Sequence, residues 1–147
     1  MATSWPHDVV PLLVSLLLGT LLGWERQVDR KPAGLRTHTL VCLGSTLFIL
    51  TGRHAAEIFG GAADPTRVLH GIVTGVGFLG AGAILRQNGS ILGLTTAASI
   101  WIAAAIGAAA GVEAYALAGV ATALALIVLR LYTRIDRWLS RGRGEQP

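Results

Sequence analysis

Five long runs of apolar residues, separated by short polar segments, set the pattern along this chain of 147 residues. The runs approach the roughly 20 apolar residues that a helix needs to cross the hydrocarbon core of a bilayer. They predict helices over residues 9–24, 37–58, 68–85, 91–111 and 114–131. The chain is therefore expected to be an all-α integral membrane bundle of about five transmembrane helices. It would form one domain over residues 1–147, with a short basic tail over residues 132–147.

Tryptophans bracket the first apolar run. The 19 steps from Trp5 to Trp24 correspond to about 28 Å of helix, close to the hydrocarbon thickness, and Trp prefers the two membrane interfaces. The run is not preceded by Lys or Arg and not followed by an A-x-A cleavage site. We therefore expect a permanent transmembrane helix rather than a cleaved signal peptide.

The positions of Lys and Arg predict the orientation. Ten of them fall in the segment after the first run, the segment after the third run, and the C-terminal end, namely Arg26, Arg30, Lys31, Arg36, Arg86, Arg130, Arg134, Arg137, Arg141 and Arg143. The other side of the membrane would carry only Arg53 and Arg67. Because cytoplasmic segments are enriched in Lys and Arg, the N-terminus is expected outside and the C-terminus in the cytoplasm.

Composition agrees with a membrane protein. The chain is 52% hydrophobic and only 14% charged, whereas soluble domains carry about 25% charged residues. Its formal charge of +4 does not indicate nucleic-acid binding, because the basic residues form no single stripe with interleaved aromatics. The basic end is interpreted either as an amphipathic segment on the anionic inner leaflet or as a solvated stop-transfer end.

A glycine motif in the third run resembles a dinucleotide-binding loop. The segment GVGFLG fits G-x-G-x-x-G, but that fingerprint needs a preceding strand and an acid about 20 residues later. Here the motif lies inside an apolar run and the next acid is Glu113, so no dinucleotide is expected. Small residues at this spacing let helices approach closely. The predicted helix-packing glycines, with the first and fourth helices as neighbours of the third, are Gly19, Gly23, Gly71, Gly75, Gly77, Gly80 and Gly82.

Polar residues concentrate at the cytoplasmic boundary. Glu25 and Arg36 lie at adjacent helix ends, where a partly desolvated ion pair would be strengthened. Thr37 or Thr39 is a candidate cap of the second helix. The segment GLTTAAS places Thr95, Thr96 and Ser99 near the start of the fourth helix. Two roles are open for these hydroxyls: they bind an anion at the helix start, or they cap the helix and form hydrogen bonds to neighbouring helices. The cluster of candidate functional residues is Glu25, Arg26, Arg36, Thr37, His38, Thr95, Thr96 and Ser99. It either lines a functional site or fixes the first two helices together.

Several classes of chemistry lack their sequence signatures. The sequence contains no P-loop motif, so ATP hydrolysis is not expected, and no acid lies in the middle of a predicted span. His38, His54 and His70 are not spaced as metal ligands, and the lone Cys42 cannot form an intrachain disulfide. The chain is therefore expected not to be an enzyme and to hold no metal or cofactor.

Four motifs give the chain a family resemblance. GWERQ, PAGLRTHTLVCLGS, GFLGAGAIL and GLTTAASIWIAAAIGAAAG occur in this order between about Gly19 and Gly111, and together they resemble the MgtC/SapB family of bacterial inner-membrane proteins. The motif positions are Glu25, Arg26, Gly34, Leu35, Arg36, Thr37, His38, Gly77, Phe78, Gly80, Gly82, Gly93, Thr95, Thr96, Ala97 and Trp101. Many members continue into a soluble C-terminal domain, which is not expected within these 147 residues.

The resemblance implies a multi-pass protein of the bacterial inner membrane, linked to magnesium limitation, acid or other stress adaptation, and virulence. It also implies a regulator of other membrane proteins. The expected partners are the lipid bilayer and membrane proteins, among them a second copy of the chain or the F-type ATP synthase. The alternative is a small oligomeric ion channel or transporter with a polar path at the cytoplasmic boundary, formed by Glu25, Arg36, His38, Thr95 and Thr96.

Overall fold

The computed structural model describes residues 5–60, 64–87 and 90–141. These residues form five helices and one short hairpin, in the order α1 (Trp5–Val28), α2 (Leu35–Phe59), α3 (Pro65–Gly82), β1 (Leu85–Gln87), β2 (Ser90–Leu92), α4 (Leu94–Gly111) and α5 (Tyr115–Arg141). Each predicted run contains one helix, so the five-helix architecture is confirmed. α5 continues beyond the predicted end at residue 131, and residues 142–147 of the predicted tail lie outside the described residues.

The connection between α3 and α4 differs from the prediction. The third helix was expected to reach residue 85 and the fourth to begin at residue 91, but antiparallel strands occupy that segment, with Leu85 opposite Leu92. The reversal ends at Gly93, whose φ of 89° is in the left-handed region. A Cβ there would collide with the carbonyl oxygen of Ala83. The apolar pattern missed the strands because each is only three residues long and its apolar residues, Leu85 in β1 and Ile91 and Leu92 in β2, continue the apolar runs of the flanking helices.

α4 is the central element of the bundle. It packs against α1, α2, α3 and α5, and its buried positions occur all around the helix rather than along one stripe. One apolar core joins α2, α3 and α4 around Ile49, Ile72 and Ile100. A second core joins α1, α2, α4 and α5 around Leu22 and Ile106. The α4 sequence is therefore rich in Ala and Gly because neighbouring helices leave room only for small side chains.

Glycines make close contacts in α1 and α4. An added Cβ at Gly19 would lie 2.7 Å from the Cβ of Cys42, and one at Gly23 would lie 2.7 Å from the Cα of Leu35. At Gly107 an added Cβ would lie 2.9 Å from the Cα of Cys42. The backbones of α1 and α4 therefore both approach α2 closely at Cys42.

The prediction for the third helix is only partly correct: α4 is its neighbour as predicted, but four of its five predicted packing glycines make no close contact within this chain. Cβ atoms added at Gly71, Gly75, Gly77 and Gly82 would meet nothing within 4 Å, and one at Gly80 would make an ordinary contact of 3.7 Å with Ala97. α3 packs mainly on α4 and α2 rather than on α1, through Ile72 and Val76. The other four glycines face outward because the buried stripe of α3 consists mainly of aliphatic residues, whereas Gly80 is buried against α4.

Three helices of the described part are long and apolar enough to cross a membrane: His7–Val28, Leu94–Gly111 and Tyr115–Thr133. Large apolar side chains are exposed on the outside of the bundle, including Phe48, Phe78 and Leu117. An exposed apolar surface of this kind is expected where lipid chains replace water as the solvent. The chain is thus a membrane protein with an all-helical bundle.

Candidate functional site

Five of the eight predicted polar residues lie buried near one end of the bundle. Their exposed fractions are 3% for Glu25, 1% for Arg26, 0% for His38, 3% for Thr96 and 3% for Ser99. The last turns of α1 supply the first two, the first turn of α2 supplies His38, and the start of α4 supplies the hydroxyls. This polar cluster (Glu25, Arg26, His38, Thr96 and Ser99) therefore joins three helices.

His38 is fixed by hydrogen bonds at both ring nitrogens. Nδ1 lies 2.9 Å from the Gly34 carbonyl oxygen, and Nε2 lies 3.0 Å from Oγ of Ser99. The Ser99 hydroxyl in turn donates to the Thr96 carbonyl oxygen at 2.8 Å. His38 and Ser99 are 61 residues apart in the sequence, so this contact connects the starts of α2 and α4.

Glu25 and Arg26 are buried without hydrogen-bond partners for most of their polar atoms. Nη1 of Arg26 lies 3.7 Å from Oε2 of Glu25, a distance that allows charge attraction but no hydrogen bond. Both Glu25 oxygens, and Nε and Nη2 of Arg26, have no hydrogen-bond partner. Because buried polar groups are nearly always satisfied, these atoms indicate a place that binds water or another small polar species.

Three residues of the predicted cluster lie elsewhere. Arg36, Thr37 and Thr95 are exposed, because α2 and α4 turn these positions away from the bundle while burying His38 and Thr96. The expected Glu25–Arg36 ion pair is therefore wrong, and Arg26 takes the place of Arg36 beside Glu25. Thr37 does not cap α2 either, since the helix begins at Leu35 without a side-chain cap.

A second polar cluster, which was not predicted, lies at the opposite end of the bundle. Arg53 Nη2 donates to Asp8 at 2.5 Å and Nη1 donates to Glu113 at 2.9 Å, while His54 Nε2 lies 2.7 Å from the other Asp8 oxygen. This outer clamp (Asp8, Arg53, His54 and Glu113) connects the start of α1, the last turns of α2 and the turn before α5. The charge pattern of the sequence places Arg53 on the side of the membrane opposite most Lys and Arg residues, which is the available signal for this cluster.

The described residues contain no group of three or more His, Cys, Asp or Glu side chains arranged to hold a metal ion. In the polar cluster the acceptors are one carboxylate, one imidazole nitrogen and hydroxyls, beside a guanidinium that repels cations. This chemistry suits water molecules and protons better than a directly coordinated divalent ion.

Comparison with known proteins identifies the family. The family model described as "MgtC family" matches residues 12–138, from the first turns of α1 to the last turns of α5. The chain belongs to the MgtC family. The resemblance read from the four sequence motifs is therefore confirmed.

MgtC-family relatives with curated descriptions resemble the chain along most of its length. It is 40% identical over 131 residues to the "Putative magnesium transporter YhiD" of Escherichia coli (strain K12), covering 86% of this chain and 61% of that protein. It is 41% identical over 141 residues to "Protein MgtC" of Brucella abortus (strain 2308), covering 94% of this chain and 58% of that protein. It is 39% identical over 143 residues to "Protein SrpB" of Synechococcus elongatus, covering 89% of this chain and 79% of that protein.

The chain thus spans about three fifths of the first two of these MgtC-family relatives. No solved structure matches it significantly. The polar cluster lies wholly within the part matched by the MgtC family model, and so do Arg53, His54 and Glu113 of the outer clamp, whereas Asp8 precedes the matched residues 12–138.

Proposed function

We propose that this MgtC-family chain regulates other membrane proteins in bacterial magnesium and ion homeostasis, under stress or during virulence adaptation, without being an enzyme. The proposal includes a location in the inner membrane, with five spans, the N-terminus outside and the C-terminus in the cytoplasm. Two of its relatives are described as a putative magnesium transporter and as MgtC, which supports the link to magnesium.

The contacts at the two ends of the bundle support this topology. Asp8, Arg53 and Glu113 meet at one end, and Gly23 meets Leu35 at the other. Successive helices then run in opposite directions, as five spans with termini on opposite sides require. The end that contains the polar cluster and the hairpin is the one with the excess of Lys and Arg, and it is assigned to the cytoplasm.

The observation that carries the regulatory role is an open groove between α2 and α3. It has a volume of about 440 Å³ and is lined by Gly44, Gly71 and Gly75 beside exposed Leu40 and Phe48. Membrane helices associate where small residues let backbones approach, and a Cβ added at any of these three glycines would meet nothing within 4 Å. A helix of another membrane protein, such as the F-type ATP synthase or a second copy of the chain, would fit there.

The test is crosslinking and pull-down from native membranes with the groove filled. Gly71→Leu and Gly75→Leu are expected to abolish capture of a membrane-protein partner and growth in low magnesium. Gly119→Leu is the matched control, because Gly119 on α5 also has open space around it. Equal capture and growth with all three variants would refute the role of the groove.

A small oligomeric ion channel is the second candidate. The observation in its favour is the buried pair of Glu25 and Arg26, most of whose polar atoms lack hydrogen-bond partners, because ionisable groups inside membrane proteins mark ion pathways. Purified protein in liposomes distinguishes the two candidates. Magnesium flux that Glu25→Gln abolishes would refute the regulator and support the channel.

A further inference from the structure

The hydrogens in the chain of bonds from Gly34 to Thr96 can be counted. A carbonyl oxygen only accepts, so the bond to Gly34 requires a hydrogen on Nδ1 of His38. The bond from Ser99 to the Thr96 carbonyl likewise uses the single hydroxyl hydrogen of Ser99. The 3.0 Å contact between Nε2 and Ser99 Oγ then contains a hydrogen only if Nε2 also carries one. All three bonds coexist only when His38 is a positively charged imidazolium.

A neutral His38 requires a different arrangement of the same atoms. With its one hydrogen on Nδ1, the ring presents Nε2 as an acceptor, and the Ser99 hydroxyl must rotate to donate to it. The bond from Ser99 to the Thr96 carbonyl is then lost. The two charge states of His38 therefore correspond to two positions of one hydroxyl hydrogen on α4.

We propose that His38 is a proton-binding site of this protein, and that Ser99 couples its charge to α4 by exchanging one hydrogen bond. In the uptake step a hydronium ion donates its proton to Nε2 and becomes water. The hydroxyl hydrogen of Ser99 then moves from Nε2 to the Thr96 carbonyl, and no other bond changes. This inference goes beyond the proposed function and holds for a regulator and for a channel alike.

The surrounding charges oppose one another at this site. From α1, the Arg26 guanidinium acts on His38 and disfavours the imidazolium, as burial also does. From the same helix, Glu25 lies beside Arg26 at 3.7 Å, and its oxygens are free of hydrogen bonds. α4 contributes only the neutral Thr96 and Ser99. The further charges that act on Glu25 are those of Asp29, Lys31 and, from α5, Arg130.

The unpartnered atoms supply a route for the proton. Both Glu25 oxygens and two Arg26 nitrogens require hydrogen-bond partners, and water molecules meet that need in a buried polar site. The residues lie within the last turns of α1 and the first turn of α2, close to the aqueous boundary. A proton therefore reaches His38 without crossing the apolar core around Leu22 and Ile106.

The direct test is nitrogen NMR of the imidazole rings in the purified full chain, labelled with ¹⁵N-histidine and held in nanodiscs. His38→Gln assigns the signals, and His70→Gln is a control because His70 is an exposed histidine on α3. The titration covers roughly pH 4 to 8, the range in which histidine changes charge in proteins. We expect Nδ1 of His38 to stay protonated throughout, while Nε2 gains a proton as the pH falls.

Two variants show whether the neighbouring groups tune the site. Ser99→Ala is expected to lower the proton affinity of His38 by a factor of about 3 to 10, the loss of one hydrogen bond. Ser15→Ala is the matched control, because Ser15 is also buried and donates to a carbonyl three residues earlier, at 3.0 Å. Arg26→Gln is expected to raise the affinity about tenfold by removing a nearby like charge.

The wild-type titration decides the proposal even if a variant does not fold. A His38 that stays neutral, or stays charged, over the whole range in which the protein remains folded would overturn it. A titrating His38 whose midpoint is the same in Ser99→Ala and Ser15→Ala would overturn the coupling through Ser99.

Discussion

Gly107 of α4 lies directly against the backbone of α2, so replacing it by alanine is expected to push the two helices apart. The new Cβ would lie 2.8 Å from the carbonyl carbon and 2.9 Å from the Cα of Cys42, whereas ordinary contacts begin near 3.4 Å. The nearest atom is the Cys42 carbonyl oxygen, with which the new Cβ would collide outright. Backbone atoms cannot rotate away, so the helices must separate by about 1 Å, which forfeits roughly half of the contact energy of the lining atoms. The 2.7 Å hydrogen bond from Thr46 to the Gly107 carbonyl would lengthen as well.

The expected net cost of Gly107→Ala is about 2 kcal/mol of unfolding free energy, within the range for overpacked cores. This net cost already allows for the higher helix propensity of alanine, which favours the alanine variant by about 1 kcal/mol. The assay is reversible unfolding of the purified protein in mixed micelles with increasing SDS. Gly119→Ala, at an open position of α5, should be at least as stable as the wild type. A Gly107→Ala protein as stable as the Gly119→Ala protein would refute the close contact between α2 and α4.

Three further outcomes are expected from the same preparation. Because Glu113 has a φ of 62°, Glu113→Gly should be about 1 kcal/mol more stable than Glu113→Ala in the SDS assay, and equal stabilities would contradict the left-handed backbone. Asp8→Asn weakens the bonds to Arg53 and His54; it should cost about 1 kcal/mol at low salt and less at high salt, and a loss that salt does not change would argue against the clamp. Cys42 is fully buried, so maleimide should label it only after denaturation, and rapid labelling of the native protein would contradict its burial between α1 and α4.

The helices could be predicted from the sequence because each is a run of apolar residues long enough to be read without knowing its neighbours. The hairpin could not, because Leu85, Ile91 and Leu92 are as apolar as helical residues and the reversal depends on the conformation of Gly93. Hydrophobicity reports which residues avoid water, but it does not report where a short apolar segment changes its backbone angles.

The glycines show the same division. Small residues four apart mark faces on which helices can approach, and this reasoning was correct for Gly19 and Gly23. The same spacing occurs at Gly107 and Gly111, which the sequence analysis did not single out although they meet Cys42 and Ile49. In α3 the glycines with this spacing, Gly71 and Gly75, have open space beside them. The motif identifies a face that permits close contact, and only the packed bundle decides whether a neighbour occupies it.

For the polar cluster, the sequence determined the residue types and their placement near one membrane boundary. The tertiary structure decided the pairing: Glu25 lies beside Arg26 rather than Arg36, and His38 meets Ser99 across 61 positions. The physical reason is that the apolar pattern fixes the length and depth of a helix, whereas the rotation of each helix about its axis is set by packing. Rotation decides which of two neighbouring polar residues is buried, and the chemistry of the site depends on that choice.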